Sequence, residues 1–317
     1  MKTNKEIERL LDEAQHEGRC IMNATAAQRR ALGRRVQCGE VVRPMPGLYA
    51  RSAYWNQLDS AERKRHVIRC LGRRHPHWVF GGIAAVSMHG VDHEREADES
   101  GIVVISDKHR SQTMSAHVVH RYERNCPYVV IDGVRVLPPE RAIAESMRDY
   151  GFINAVVVAS CALRNGMTKE RIGHELRTVG GCGADAWHAL EVADGGCENG
   201  GEARSIAVFD LLGVVPPFTQ REFVDPQTGR TKRTDFAWRM ADGGWLVGEL
   251  DGRDKYVDPS MTGGRSVEEI VDAERERERA LERAGVKGIV RFRIRDTYHP
   301  QQFAHKLRAA GVPFVIR

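Results

Sequence analysis

The chain reads as a mixed α/β protein of the α+β kind, and three observations predict this. Segments of helical period alternate with short runs rich in branched and aromatic residues. Turn signals such as Asp132-Gly133 and Asp242-Gly243-Gly244 sit between such runs. Residues 202–317 show the order αβββαβ, followed by a further helix and a short strand. At 317 residues and 41% hydrophobic content the chain can build two or three cores. The net charge of +5 is compatible with a polyanionic partner but too mild to establish one, so charge placement must carry that argument.

Residues 3–17 set Ile7, Leu10, Leu11 and Ala14 among charges, which predicts the first helix. Thr25 can cap a second helix that carries Arg29, Arg30, Arg34 and Arg35. Val41 to Arg51, with a Pro46-Gly47 turn, reads as a two-stranded wing bearing Arg43 and Arg51. Helix, arginine-rich helix and wing look like a winged helix-turn-helix over 1–56, although the second helix of a full motif is hard to place. Between residues 19 and 51 Glu40 is the only carboxylate, so these arginines read as contacts to the phosphates and base edges of duplex DNA rather than as a mixed solvated face.

A helix over 59–74 opens on Asp59-x-x-Glu62. The apolar run from Trp78 to Val91 reads as a buried strand then helix. Strands follow at 102–105 and 117–121, then a hairpin over 128–137, and helices from Pro138 to about Asp149, over 152–164 and over 168–178. This is a mixed module over 57–180. His89 and His93, four apart, have no third partner at ligand spacing, and a satisfied core histidine is the better reading of His89. Gly195-Gly196-Cys197-Glu198-Asn199-Gly200-Gly201 lacks the lysine of a phosphate loop, so 181–201 reads as a Gly-rich linker region.

With Pro46-Gly47-Leu48-Tyr49-Ala50, Ala84-Ala85-x-x-x-His89-Gly90 and Leu137-Pro138-Pro139-Glu140-Arg141, residues 1–175 resemble AbiEi-like antitoxins and transcriptional regulators. That resemblance implies a winged helix followed by an α/β module, and raises the expectation of a toxin partner protein.

In the last third, Asp235 and Glu249 are each seven residues from a turn centred on Asp242. Paired antiparallel strands would place them opposite one another with Cβ atoms roughly 5 Å apart, and Asp251 shares that face. Two adjacent carboxylates repel unless a cation or a proton lies between them. Oxygen-only ligands favour magnesium, calcium or manganese over zinc, and such a cation can activate water beside a phosphodiester, with Lys255 near enough in sequence to assist. A solvent-facing hairpin with ordinary surface acids is the plain alternative. On the charged helix that follows, Arg275, Arg279 and Arg283 fall on one side and, with Arg291, Arg293 and Arg295, could hold phosphates.

The order and the acids of 202–317 resemble the PD-(D/E)XK restriction-endonuclease-like core, and most closely very-short-patch-repair endonucleases. By that resemblance Asp235 is the first acid, Glu249 the acid of the E-x-K element and Glu202 the extra acid of the first helix. The ligands of Mg2+ (or Mn2+) would be Asp235, Glu249, Asp251 and Glu202. Asp251 stands where the family lysine belongs, and Lys255 is the nearest substitute. For Glu202 the plain alternative is an acid favoured by a helix N-terminus.

Seven scattered cysteines with no C-x-x-C pair argue for a reducing cytoplasm. No apolar run approaches 18 residues, so neither a signal peptide nor a membrane span is expected. The expectation is a cytoplasmic DNA-binding protein with a nuclease-like C-terminal domain. Its rivals are a non-catalytic repressor or antitoxin that keeps a degenerate nuclease fold, and a protein-interaction platform without metal affinity.

Overall fold

The computed structural model describes residues 5–22, 24–107, 117–251 and 267–315. The chain is mixed α/β and divides into two compact units, Met1–Asn154 with Glu170–Gly183, and Ala155–Lys169 with Ala184–Arg317. This division differs from the contiguous boundaries expected at 57–180 and 202–317, because one helix, Gly151–Arg164, carries the first break within it.

In the first unit, α1 (Lys5–His16) and α2 (Ala26–Gln37) precede the hairpin β1 (Val41–Met45) and β2 (Leu48–Arg51). Ile7, Leu11 and Ala14 of α1 meet Leu32, Val41 and Tyr49 in one small core, the i, i+4, i+7 stripe burying itself as its spacing requires. Thr25 caps α2 in a reciprocal capping box with Gln28. A short helix, α3 (Ser52–Gln57), follows this hairpin; its six residues lack a sequence signal strong enough to announce it. Then come α4 (Ser60–Arg74), with Asp59 accepting the Glu62 N–H at 2.7 Å, β3 (Val79–Gly81), α5 (Gly82–Met88), α6 (Arg95–Asp98), β4 (Ile102–Ser106), β5 (Val118–Tyr122), β6 (Val129–Ile131), β7 (Val134–Val136) and α7 (Pro139–Asp149). The five strands run β5-β4-β3-β7-β6. The expected turn between β6 and β7 is made by Asp132 and Gly133, both at positive φ. His89 is partly buried and donates to the Leu137 carbonyl at 2.8 Å, so its ring is satisfied as expected although it lies at the edge of the core.

In the chain, α8 (Gly151–Arg164) and α9 (Lys169–Val179) lead to α10 (Ala184–Val192), α11 (Gly200–Leu212), β8 (Phe218–Val224), β9 (Thr231–Arg239), β10 (Trp245–Leu250), α12 (Val267–Arg283), β11 (Val286–Phe292) and α13 (Pro300–Ala309). The second unit thus has the expected helix, three antiparallel strands, crossover helix and fourth strand. Its sheet runs β11-β10-β9-β8, with β11 parallel to β10. One face buries Phe236, Trp238 and Phe292 against Phe209 of α11 and Phe303 of α13. The other packs Phe223, Ala237, Val247 and Val286 against Leu281 of α12.

The stretch read as a linker, 181–201, contains α10 with Ala186, Ala189 and Leu190 buried, followed by a packed turn. The Asp194 N–H donates to Ser160 of α8 at 3.1 Å, and Thr219 of β8 donates to the Asp194 carboxylate at 2.6 Å. A Cβ on Gly195 would lie 3.0 Å from Leu163 and one on Gly196 2.5 Å from the Thr219 hydroxyl. These glycines permit close approach of two segments; composition alone does not distinguish that use from flexibility.

Candidate active site

The β9–β10 hairpin brings the acids together. Its ladder pairs Arg239 with Trp245, Trp238 with Leu246, Ala237 with Val247 and Phe236 with Gly248, the register that a turn centred on Asp242 requires. The ladder ends at the Phe236–Gly248 pair, one step short of Asp235 and Glu249, and beyond it the Leu250 N–H donates to Asp235 Oδ2 at 2.8 Å.

Glu202 approaches from α11. Asn199 caps this helix by accepting the Glu202 N–H at 3.0 Å, which sets Glu202 in the first turn. The side chain is buried. Its oxygens accept from the Glu198 N–H at 2.7 Å, Asn199 Nδ2 at 2.7 Å and Gln220 Nε2 at 3.0 Å. Burial pushes the Glu202 carboxyl above the ordinary glutamate range; the Glu198 N–H opposes this and the charge of Asp235 adds to it. Glu202 and Asp235 are therefore electrostatic neighbours. Glu202 is at once a helix-start acid and a member of the acidic site, so both sequence readings of it hold a part of its environment.

Gln220 is the residue that sequence reasoning missed. It lies on β8 between Thr219, paired with Phe236, and Arg221, paired with Thr234, hence level with Asp235. Its φ of 49° is in the left-handed region, uncommon for a residue with a side chain and rarer inside a strand. The twist turns its amide onto Glu202. Backbone strain at a cluster of carboxylates is a recurrent mark of a functional site, and nothing in Phe218-Thr219-Gln220-Arg221 signals it beforehand.

Glu249 has different company. Arg277 of α12 hydrogen-bonds its Oε1, and Arg291 Nε lies 3.6 Å from its Oε2. Arg291 is itself held by Glu274 at 2.6 Å and Glu278 at 2.8 Å, so it is engaged in internal pairs in place of the expected phosphate contact. Among the described side chains of α12 Ala280 and Leu281 are buried, and one turn before them the same face carries Glu274, Arg277 and Glu278. Asp251 is partly buried, with its N–H bonded to the Phe292 carbonyl at 2.8 Å. Lys255 lies outside the described residues.

The donor chemistry of Glu202 and Asp235 suits a hard cation. Among the described residues, however, no three Asp, Glu, His or Cys side chains form a group that could hold a metal ion.

The basic residues sort by what holds them. Arg30, Arg34 and Arg43 are exposed, and Arg29 is exposed with one bond to the Ala24 carbonyl at 2.8 Å. Arg35 is buried against Glu8, and Arg51 reaches Glu8 at 3.1 Å and Asp12 at 2.7 Å, so these two tie α2 and β2 to α1. Residues 19–51 hold almost no acid of their own, but the neighbouring helix supplies it. Arg275 and Arg279 are exposed with loose partners three residues back, Asp272 at 3.7 Å and Glu276 at 3.9 Å. Arg283, on the side of the helix assigned to them, is instead bonded twice to Asp225 in the β8–β9 turn. No helix among the described residues is long and apolar enough to cross a membrane. No protein-family model, curated protein or solved structure matches this chain.

Proposed function

We propose that the chain is a DNA-binding protein whose second unit is a nuclease-like module acting on DNA phosphodiester bonds. Duplex DNA would dock on Arg29, Arg30, Arg34 and Arg43 of the first unit, and the location would be the cytoplasm. The observation that carries the reading is the buried Glu202 carboxyl, bonded by the strained Gln220 and raised by the charge of Asp235, beside the end of the β9–β10 ladder. Magnesium or manganese, when bound, would supply a water of lowered pKa and neutralise phosphate charge. Asp235 and Glu202 are its strongest ligand candidates, and Glu249 and Asp251 would join them. Catalytic assistance from Lys255 belongs to the same proposal.

A second reading has its own support, since Arg277 and Arg291 already neutralise Glu249, and Asp251 replaces the lysine of the E-x-K element. On it the chain is a repressor or antitoxin, with a toxin partner, that keeps the fold without turnover. The deciding experiment incubates supercoiled plasmid and short duplexes with the full chain and magnesium or manganese, beside Asp235→Ala and Glu249→Ala proteins. Cleavage by the unsubstituted chain alone supports the nuclease. Inertness of all three, with salt-dependent retention of duplex, favours the second reading.

A further inference from the structure

The first unit holds a cleft of about 480 Å³ between the α4–β3 connection and the segment leading into the β6–β7 hairpin. Its size falls within the range of sites that enclose small organic ligands, roughly 300–1,000 Å³. From one side come His75 and Trp78, stacked with ring centroids 3.8 Å apart and planes 11° from parallel. From the other comes Tyr128, 44% exposed, with the Arg135 guanidinium 4.5 Å from its ring centroid. Arg74, at the end of α4, is exposed on the rim.

Two arginines and two carboxylates line the cleft, and one of the carboxylates is neutralised by an arginine from outside it. Glu123 is one of its two carboxylates, but Arg141 holds it by both oxygens and lowers its pKa, while Asp107 is the other. Arg74 and Arg135 thus outnumber the one carboxylate not held by Arg141. Burial pushes the Cys126 thiol up to about 11, so the neutral thiol adds no charge to the cleft.

Aromatic rings on two walls suit a planar ring, and two guanidinium groups suit a phosphate attached to it. We propose that this cleft binds a nucleoside monophosphate, either free or as one unit of a single strand. The base stacks beside Tyr128 and the His75–Trp78 pair, and the phosphate meets Arg74 and Arg135. The site is separate from the acids of the second unit and does not depend on them.

The test is calorimetric titration of the full chain with AMP, GMP, CMP and UMP and with a short single-stranded oligonucleotide. Adenosine and ribose 5-phosphate serve as half-ligands. Tyr128→Ala and Arg74→Ala, both at exposed positions, are the variants, and an Arg30→Ala/Arg34→Ala protein controls for strand binding elsewhere. The expected result is saturable binding of a mononucleotide, weaker binding of either half, and about tenfold loss in each cleft variant, the size of one stacking or charge contact. A strand that binds far more tightly than the mononucleotides, with the same loss in Tyr128→Ala, identifies the single strand as the source; equal affinities identify the free nucleotide. The proposal is overturned if no mononucleotide binds at millimolar concentration, or if both cleft variants bind as the unsubstituted chain does.

Discussion

At the scale of single residues, Gln220 and Asp225 make distinct statements about the second unit. Gln220 holds a left-handed backbone conformation that costs on the order of 1–2 kcal/mol for a residue with a Cβ, and its amide satisfies a buried carboxylate. Gln220→Ala keeps the strain and removes the donor, so urea unfolding should show a loss of about 1–3 kcal/mol. An unchanged midpoint would mean that the Gln220–Glu202 bond does not hold the site together. Asp225 carries two bonds from Arg283, which hold its carboxyl well below the ordinary aspartate range. A depressed folded-state pKa contributes stability above the unfolded value and loses it as pH falls through the folded one. The Asp225→Asn protein should therefore melt below the unsubstituted chain at neutral pH, and the gap should close as pH is lowered below the ordinary aspartate range. Parallel melting curves across that range would remove the pair from the account.

At the scale of elements, α12 decides what the hairpin acids can do. Leu281 and Ala280 anchor this helix on the sheet, which carries Arg277 over Glu249. If Glu249 is a cation ligand, Arg277→Ala releases it, and magnesium should raise the melting temperature of the variant more than that of the unsubstituted chain. A lower melting temperature with no response to magnesium would instead make the pair structural. The hairpin itself was legible: Asp-Gly-Gly centres the turn on Asp242, and period-two alternation fixes which residues face each other. The position of α12 was legible only in outline, because like charges four residues apart hid the stripe on which Arg277 lies. Nor could α10 and the packed turn after it be read, since Gly-rich composition says nothing about what approaches it.

At the scale of the whole molecule, two predictions separate binding from folding. The Arg30→Ala/Arg34→Ala protein should retain its melting temperature while its duplex-binding salt slope falls by about two, roughly one per phosphate contact removed. Arg35→Ala should show the reverse, a lowered melting temperature, because Arg35 is buried against Glu8. Loss of duplex binding by Arg35→Ala at full stability would return that residue to the DNA face. The division within α8 gives the second test. A 202–317 fragment lacks Ser160 and Leu163 of α8 and the Asp194–Cys197 turn that joins them to β8. It should show weaker near-ultraviolet circular dichroism and a broader unfolding transition than a 155–317 fragment. Equal cooperativity of the two fragments would make residues 155–201 dispensable to that unit.

By itself the amino-acid sequence determined the fold class, the order of elements in the second unit and the β9–β10 register centred on Asp242. Each of these rests on local periodicity or on a turn that defines its own register. Only the tertiary structure decided that Glu202 is buried and bonded by Gln220 and the Glu198 N–H, that Gln220 turns into the left-handed region, and that Arg277 occupies Glu249. It alone showed that Arg35 and Arg51 are held by α1. The reason is physical: the free energy of a charge or a strained backbone depends on which distant segment desolvates or neutralises it, and no spacing along the chain encodes that neighbour.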